Sequence, residues 1–216
     1  MRVAITQRVE IISDYDERRD CLDQAWTNLL TEIGCDIVPV PNKLSDIKHW
    51  LKKQRIEALL LTGGNDLSYL SNAFNPAPER DATEEQLLEW AAEYKVPVLG
   101  VCRGMQKLNH YLAGSLSPIK NHVSSRHIIF PVENETLCST FSFVNSFHDW
   151  GIKPEDLSPS LRALALAKDG TIEAVAHFEL PWVGIMWHPE RENALENKNN
   201  ITLIKKVFFD LNNDCK

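Results

Sequence analysis

Apolar positions along this chain fall into two alternating patterns. Short apolar runs at residues 3–6, 37–40, 57–61 and 96–101 are bounded by polar residues, Gly or Pro and read as strands. Between them apolar side chains recur at helical spacing. Leu22, Ala25, Trp26, Leu29, Leu30 and Ile33 predict a helix over 16–33 that Gly34 can end. Shorter helices are predicted over 46–54 and 83–94, the latter opened by Thr83 and Gln86 in capping-box spacing. Pro39 marks its strand as an edge or a strand end, whereas 96–101 is almost wholly apolar, as in a strand buried on both faces. The second half is richer in strands, at 128–132, 141–144, 161–167, 172–178 and 183–187. A last helix over 201–211 places Ile204, Val207, Phe208 and Leu211 on one face. Strand–helix alternation followed by extra strands predicts an α/β protein, with a mainly parallel central sheet covered on both faces and a small extra β region.

Composition narrows the function. With 216 residues, 44% hydrophobic and 25% charged, the chain is an ordinary globular sequence and is expected to form one domain over 1–216. A net charge of −7 argues against a nucleic acid polymer or an anionic membrane as partner. A few local cations can still bind one small phosphorylated substrate. No apolar run is long enough to span a bilayer, and the first eight residues do not read as a signal peptide, so a cytoplasmic location is expected. Cys21, Cys35, Cys102, Cys138 and Cys215 are odd in number and include no CxxC pair, which argues against a disulfide framework or a cysteine zinc site. No metal-binding cluster and no phosphate-binding glycine loop is recognisable, so neither metal nor organic cofactor is expected.

Candidate chemistry sits at the ends of three strands. Gly100-Val101-Cys102-Arg103-Gly104 joins an apolar strand to a helical pattern, the logic of a nucleophile elbow with cysteine in place of serine. Flanking glycines remove the Cβ atoms such a bend cannot hold, and the helix N-terminus favours a thiolate. Arg103, following the nucleophile, offers its backbone N–H to an oxyanion. After another strand, Thr62-Gly63-Gly64-Asn65-Asp66 can bring backbone close to a reacting carbonyl. Near the C-terminus a strand ends in Trp187-His188-Pro189-Glu190: His188 suits a general base and acid, Glu190 its orienting partner.

Taken together, Thr62-Gly63-Gly64, the Cys102 elbow running on to Gln106, and His188-Pro189-Glu190 resemble the class I glutamine amidotransferase superfamily. More narrowly they resemble its stand-alone γ-glutamyl hydrolase branch, peptidase C26, as do Glu79-Arg80-Asp81 and 144–148. The resemblance implies a flavodoxin-like three-layer α/β sandwich, the class I glutaminase fold, and a triad of Cys102, His188 and Glu190. It further implies a γ-glutamyl thioester resolved by water and an oxyanion hole from Gly64 and Arg103. Gly63, Asn65, Gln106, Asn145, Ser146 and His148 would lie around the glutamyl group. Two stretches depart from the branch, Asp149-Trp150 after His148 and 113–118 after the elbow helix, which questions a polyamine or folate leaving group. The segments 5–8 and 15–23 resemble a small bacterial subgroup whose γ-glutamyl group is carried on a nucleotide diphosphate. Arg8, Arg18 and Arg19 could meet that diphosphate bidentately, or equally form a solvated helix face paired with nearby acids.

Three readings follow: a hydrolase of a small γ-glutamyl amide, a glutaminase subunit passing ammonia to a separate synthetase, and a non-catalytic protein on the same fold. The intact set of triad residue types favours the first two.

Overall fold

A computed structural model describes residues 1–192 and 197–211; Cys215 lies outside them. Nine strands form one sheet in the order β4-β1-β5-β6-β13-β12-β11-β8-β9. The parallel part comprises β1 (Arg2–Ile5), β4 (Asp36–Pro39), β5 (Ala58–Leu61), β6 (Val98–Val101) and β13 (Trp182–Ile185). An antiparallel extension adds β12 (Ile172–His177), β11 (Leu161–Ala167), β8 (Ser125–Pro131) and β9 (Phe143–Ser146). Two small ribbons stand apart: β2 (Arg8–Ile12) with β3 (Glu17–Cys21), and β7 (Ser117–Pro118) with β10 (Trp150–Gly151). Five helices cover the sheet: α1 (Ala25–Glu32), α2 (Ile47–Gln54), α3 (Pro78–Tyr94), α4 (Arg103–Tyr111) and α5 (Lys198–Lys205).

Period-two alternation in the strands builds the layers. Val3, Ile5 and Leu60 face Trp26, Leu29 and Leu30 of α1 and Leu203 and Ile204 of α5. Their neighbours Ala4, Leu59 and Leu61 face Ile47 and Leu51 of α2, Leu87 and Leu88 of α3 and Leu108 of α4. Each face of the sheet is thereby buried, which is why β5, β6 and β13 carry apolar side chains on both sides. The fold is the three-layer α/β sandwich expected from the sequence, and Pro39 does end an edge strand.

Two helices begin elsewhere than the apolar spacing predicts. Residues 16–33 are not one helix: 17–21 is the second arm of a hairpin, and α1 starts at Ala25. Glu17-Arg18-Arg19-Asp20-Cys21 has no apolar stripe to bury, and pairing with Arg8–Ile12 satisfies its backbone instead. Helix α3 starts at Pro78, with Pro at its first turn and Glu79 and Asp81 favouring its positive end. Thr83 and Gln86 are therefore interior, not a capping box. The first turns escaped the apolar period because their buried face is polar: Arg80, Thr83 and Glu84 lie inside. The strand expected at 141–144 is shifted to Phe143–Ser146, and α5 runs into a wider π turn at Lys206–Asp210. Among the described residues no helix is long and apolar enough to cross a membrane.

Candidate active site

Cys102 stands between β6 and α4 with φ 52° and ψ −110°. A non-glycine residue in such a conformation costs on the order of 1–3 kcal/mol, and its surroundings must hold it there. Its N–H donates to the Ile185 carbonyl of β13 (2.8 Å), and its carbonyl accepts from the Gln106 N–H (3.1 Å). Glycine is required on both sides. A Cβ at Gly100 would lie 2.6 Å from the Gly104 carbonyl oxygen, and one at Gly104 would lie 2.2 Å from the Leu61 carbonyl oxygen. The helix thus lies directly over β5 and β6, and its N-terminus faces the sulfur.

His188 follows β13, the neighbour of β6, so the two strand ends deliver sulfur and imidazole side by side. Its Nδ1 lies 2.7 Å from Glu190 Oε1, so Nδ1 carries the hydrogen and Nε2 is left for Cys102. Glu190 sits in a single 3-10 turn, Pro189–Arg191. The Nε2 edge of the ring and the Cys102 side chain flank the same glycine: a Cβ on Gly63 would lie 3.5 Å from Nε2 and 3.6 Å from Cys102 Cβ. Burial by itself lowers the His188 pKa; the charge of Cys102, followed by the hydrogen bonds to Cys102 and Glu190, more than reverses this and raises it to about 9. Asn145 of β9 grips the backbone at this point: the His188 N–H donates to its Oδ1 (2.8 Å), and its Nδ2 donates to the His188 carbonyl (2.9 Å) and to Glu192 (2.6 Å).

The loop after β5 closes the third side. A Cβ on Gly63 would stand 2.7 Å from His188 Cε1 and 3.6 Å from Cys102 Cβ, so only glycine fits beside the pair. Gly64 has φ +81°, and a Cβ there would meet Arg8 Cδ at 3.0 Å. Arg80, fully buried, organises this loop. Its guanidinium donates to the carbonyls of Thr62 (2.6 Å), Gly63 (3.0 Å) and Gly64. Glu84 bridges Arg80 and the Arg103 side chain, which also meets Asp81. Burial lowers the Arg80 pKa to about 10, with the charge of Arg103 adding to it. At Glu84 burial raises the pKa, but the two guanidinium charges and their hydrogen bonds bring it below its ordinary value.

Arg103 was expected to act through its backbone N–H; its side chain is also a strut between the elbow and the loop after β5. Arg80 and Glu84 were missed; the signal available was Glu79-Arg80-Asp81 ahead of a helix, without the network that explains it.

Among the residues expected around the substrate, Gly63, Gly64 and Arg8 line one cleft with Thr62, His188 and Glu190. Others are committed to the protein. Asn65 accepts from the Val9 N–H (2.8 Å) and donates to the carbonyls of Val9 and Asn75 (both 3.0 Å), fastening the β2–β3 ribbon to the loop. Gln106 donates to the Trp150 carbonyl (2.9 Å), and Ser146 donates to the His122 carbonyl (2.6 Å). His148 is buried, with Nδ1 3.0 Å from the Trp150 carbonyl. The three arginines do not form one cluster. Arg18 is held by Glu79 (2.6 Å), and Arg19 by Glu17 (2.6 Å) and the Tyr15 hydroxyl (2.9 Å). Neither lines the cleft that Arg8 reaches. Cross-strand pairing of Arg8 with Cys21, Glu10 with Arg19 and Ile11 with Arg18 puts Arg18 on the opposite face of the ribbon. They also stand on a strand, so the solvated helix face is excluded as well.

A cysteine at an elbow, an imidazole with its carboxylate and a glycine loop at parallel strand ends are the arrangement of a class I glutamine amidotransferase-like protein. The chain belongs to the peptidase C26 family, whose profile matches residues 3–190. It is 39% identical over 211 residues to γ-glutamyl-CDP-amidate hydrolase of Campylobacter jejuni, covering 96% of this chain and 98% of that one. It is 33% identical over 138 residues to γ-glutamyl-γ-aminobutyrate hydrolase of Escherichia coli O157:H7, covering 52% and 53% of the two chains. A glutamine amidotransferase of Thermotoga maritima shares the fold, with a TM-score of 0.71 at 17% identity over 97% of this chain and 98% of that one.

Proposed function

We propose that this chain is a hydrolase of a γ-glutamyl–nitrogen bond, with Cys102 as nucleophile, His188 as proton carrier and Glu190 as its orienter. The observation that carries the reading is the Glu190–His188 hydrogen bond (2.7 Å) with His188 and Cys102 both packed against Gly63. Sulfur attacks the γ-carbonyl carbon, and the backbone N–H groups of Gly64 and Arg103 receive the oxyanion. The charged His188 then gives its proton to the departing nitrogen, the C–N bond breaks, and a γ-glutamyl thioester remains. Forming the thioester removes the charge on sulfur that does most to raise the His188 pKa, so the imidazole becomes neutral and can accept a proton from water. Water attack, release of glutamate and return of the proton restore the site.

The substrate we propose is γ-glutamyl-CDP-amidate, giving glutamate and cytidine diphosphoramidate for capsule polysaccharide modification. Support comes from the near full-length similarity to the Campylobacter enzyme and from Arg8, a part-exposed cation 3.6 Å from Glu10 that lines the cleft beside Gly64. The reaction is confined to a small γ-glutamyl substrate and takes place within one folded domain; the proposed setting is the cytoplasm. Glutamate release should be measured with γ-glutamyl-CDP-amidate, γ-glutamyl-γ-aminobutyrate and free glutamine. The nucleotide amidate is expected to be preferred, and Cys102→Ala to release none. Equal release by Cys102→Ala removes the mechanism; preference for glutamine removes the substrate.

A further inference from the structure

Four side chains converge in the antiparallel extension, apart from the residues of the Cys102 site. Glu173 of β12 is fully buried and has no hydrogen-bond partner at either carboxylate oxygen. Around it stand His122 Nδ1 at 3.3 Å, His127 Nε2 at 3.4 Å and His148 Nε2 at 3.7 Å. None of these ring nitrogens makes a hydrogen bond either. They come from three separate places: the loop after β7, strand β8 and the turn after β9. The rings of His127 and His148 flank that of His122, with centroids 4.6 and 5.0 Å away.

The opposite nitrogens fix the tautomers. His148 Nδ1 is 3.0 Å from the Trp150 carbonyl, which only accepts, so the hydrogen is on Nδ1 and Nε2 presents a lone pair. His122 Nε2 is 3.0 Å from Asp169 Oδ2, so Nε2 carries a hydrogen and Nδ1 is the nitrogen turned toward Glu173. Asp169 is itself oriented by the Thr171 N–H (3.0 Å). The His148 lone pair and the buried Glu173 carboxylate repel unless positive charge lies between them, and a metal ion held by His148, His122 Nδ1 and Glu173 would supply it. A carboxylate–imidazole pair and a carbonyl–imidazole pair behind the donors are the usual backing of metal-binding histidines. The donor atoms of His122, His148 and Glu173 all lie within 4.8 Å of one another, and the two nitrogens stand 3.3 and 3.7 Å from the same Glu173 oxygen, against roughly 3.3–3.4 Å for the edges of a tetrahedral zinc site.

We infer that His122, His148 and Glu173, with His127 at the other Glu173 oxygen as the fourth donor, bind a divalent transition metal, zinc by its donor set, in a structural site distinct from Cys102. Imidazole and carboxylate donors suit zinc, and His127 turning in to close the fourth position would leave none for substrate. Such a site fixes β9 to β12 next to the machinery: Ser146 and the His148 N–H both hold the His122 carbonyl, and Asn145 on the same strand grips His188. It revises the expectation of no metal, which rested on recognisable motifs; these donors are scattered along the sequence and only folding gathers them.

The test uses untagged protein in the Cys102→Ser background, so that the active-site thiol supplies no ligand. Elemental analysis after dialysis against metal-free buffer is expected to find ~1 zinc per chain. Glu173→Gln and His148→Ala should lower it at least tenfold with an unchanged circular dichroism spectrum. Should those variants not fold, Asp169→Asn leaves all four donors in place and should weaken zinc binding by about 10–100-fold. Zinc at a hundredfold excess over its Kd should raise the Tm of chelator-stripped protein by roughly 5–10 °C. Protein that retains no zinc and shows no Tm change with added Zn2+, Co2+ or Ni2+ overturns the site. So does zinc retained equally by the folded Glu173→Gln or His148→Ala variant.

Discussion

Asn145 holds the peptide groups on both sides of the His188 Cα from a strand at the far edge of the sheet. Replacing it with Ala would leave the buried His188 N–H without a partner, costing about 1–3 kcal/mol, and its carbonyl with the Arg191 N–H (3.2 Å). Small displacements of a catalytic group can cost about a hundredfold in rate. Asn145→Ala should therefore lower kcat by roughly ten- to a hundredfold and lower the Tm, with KM little changed. Steady-state kinetics separate this from a direct substrate contact, which would appear mainly in KM. Cys102, His188, Glu190 and Gly64 were legible in the sequence because each is a reactive or permissive residue type at a strand end. Asn145 was expected beside the glutamyl group, and its clamp on His188 was not legible because it depends on which strand lies beside it.

At the scale of elements, the crossing of α4 over β5 and β6 sets the site, and two glycines report on it differently. Gly104→Ala places a Cβ against the rigid Leu61 backbone, so α4 must lift away. A stability loss of about 1–3 kcal/mol or more is expected in denaturant unfolding, with activity falling alongside. Gly63→Ala places its Cβ against the His188 ring, a side chain that can turn aside. Activity should collapse there while the denaturation midpoint changes little. A large loss of stability in Gly63→Ala would show that the loop, not the imidazole, is what the methyl disturbs. Apolar spacing located α4 and its strand correctly. It failed at 17–21 and at the start of α3, for one reason: the first segment buries little, and the second buries Arg80 and Glu84 in place of apolar side chains.

For the molecule as a whole, the raised His188 pKa couples folding to pH. The folded value, about 9, lies above the ordinary 6.5, so the charged imidazole stabilises the fold fully below about pH 6.5. That contribution is lost as pH rises through about 9. Because Cys102 is the main cause raising it, Cys102→Ala should flatten the fall in Tm between pH 6.5 and 9.5 relative to the unmodified protein. Thermal melts across that range check this; parallel curves for the two proteins would contradict it. The activity of the unmodified enzyme should fall as pH passes about 9, where His188 has no proton for the leaving nitrogen.

What the chain's residues determined unaided is the α/β class, the order of most elements, the elbow and the His188-Pro189-Glu190 strand end. All of these are local: a period, a glycine spacing or a reactive side chain next to its strand. What tertiary structure decided is every pairing across the sheet. It chose Arg8 over Arg18 and Arg19 for the cleft, joined Arg80, Glu84 and Arg103 into one buried strut, set Asn145 against His188, and gathered three histidines around Glu173. Buried polar groups choose partners by distance in the folded chain, and residues tens of positions apart carry no local trace of that choice.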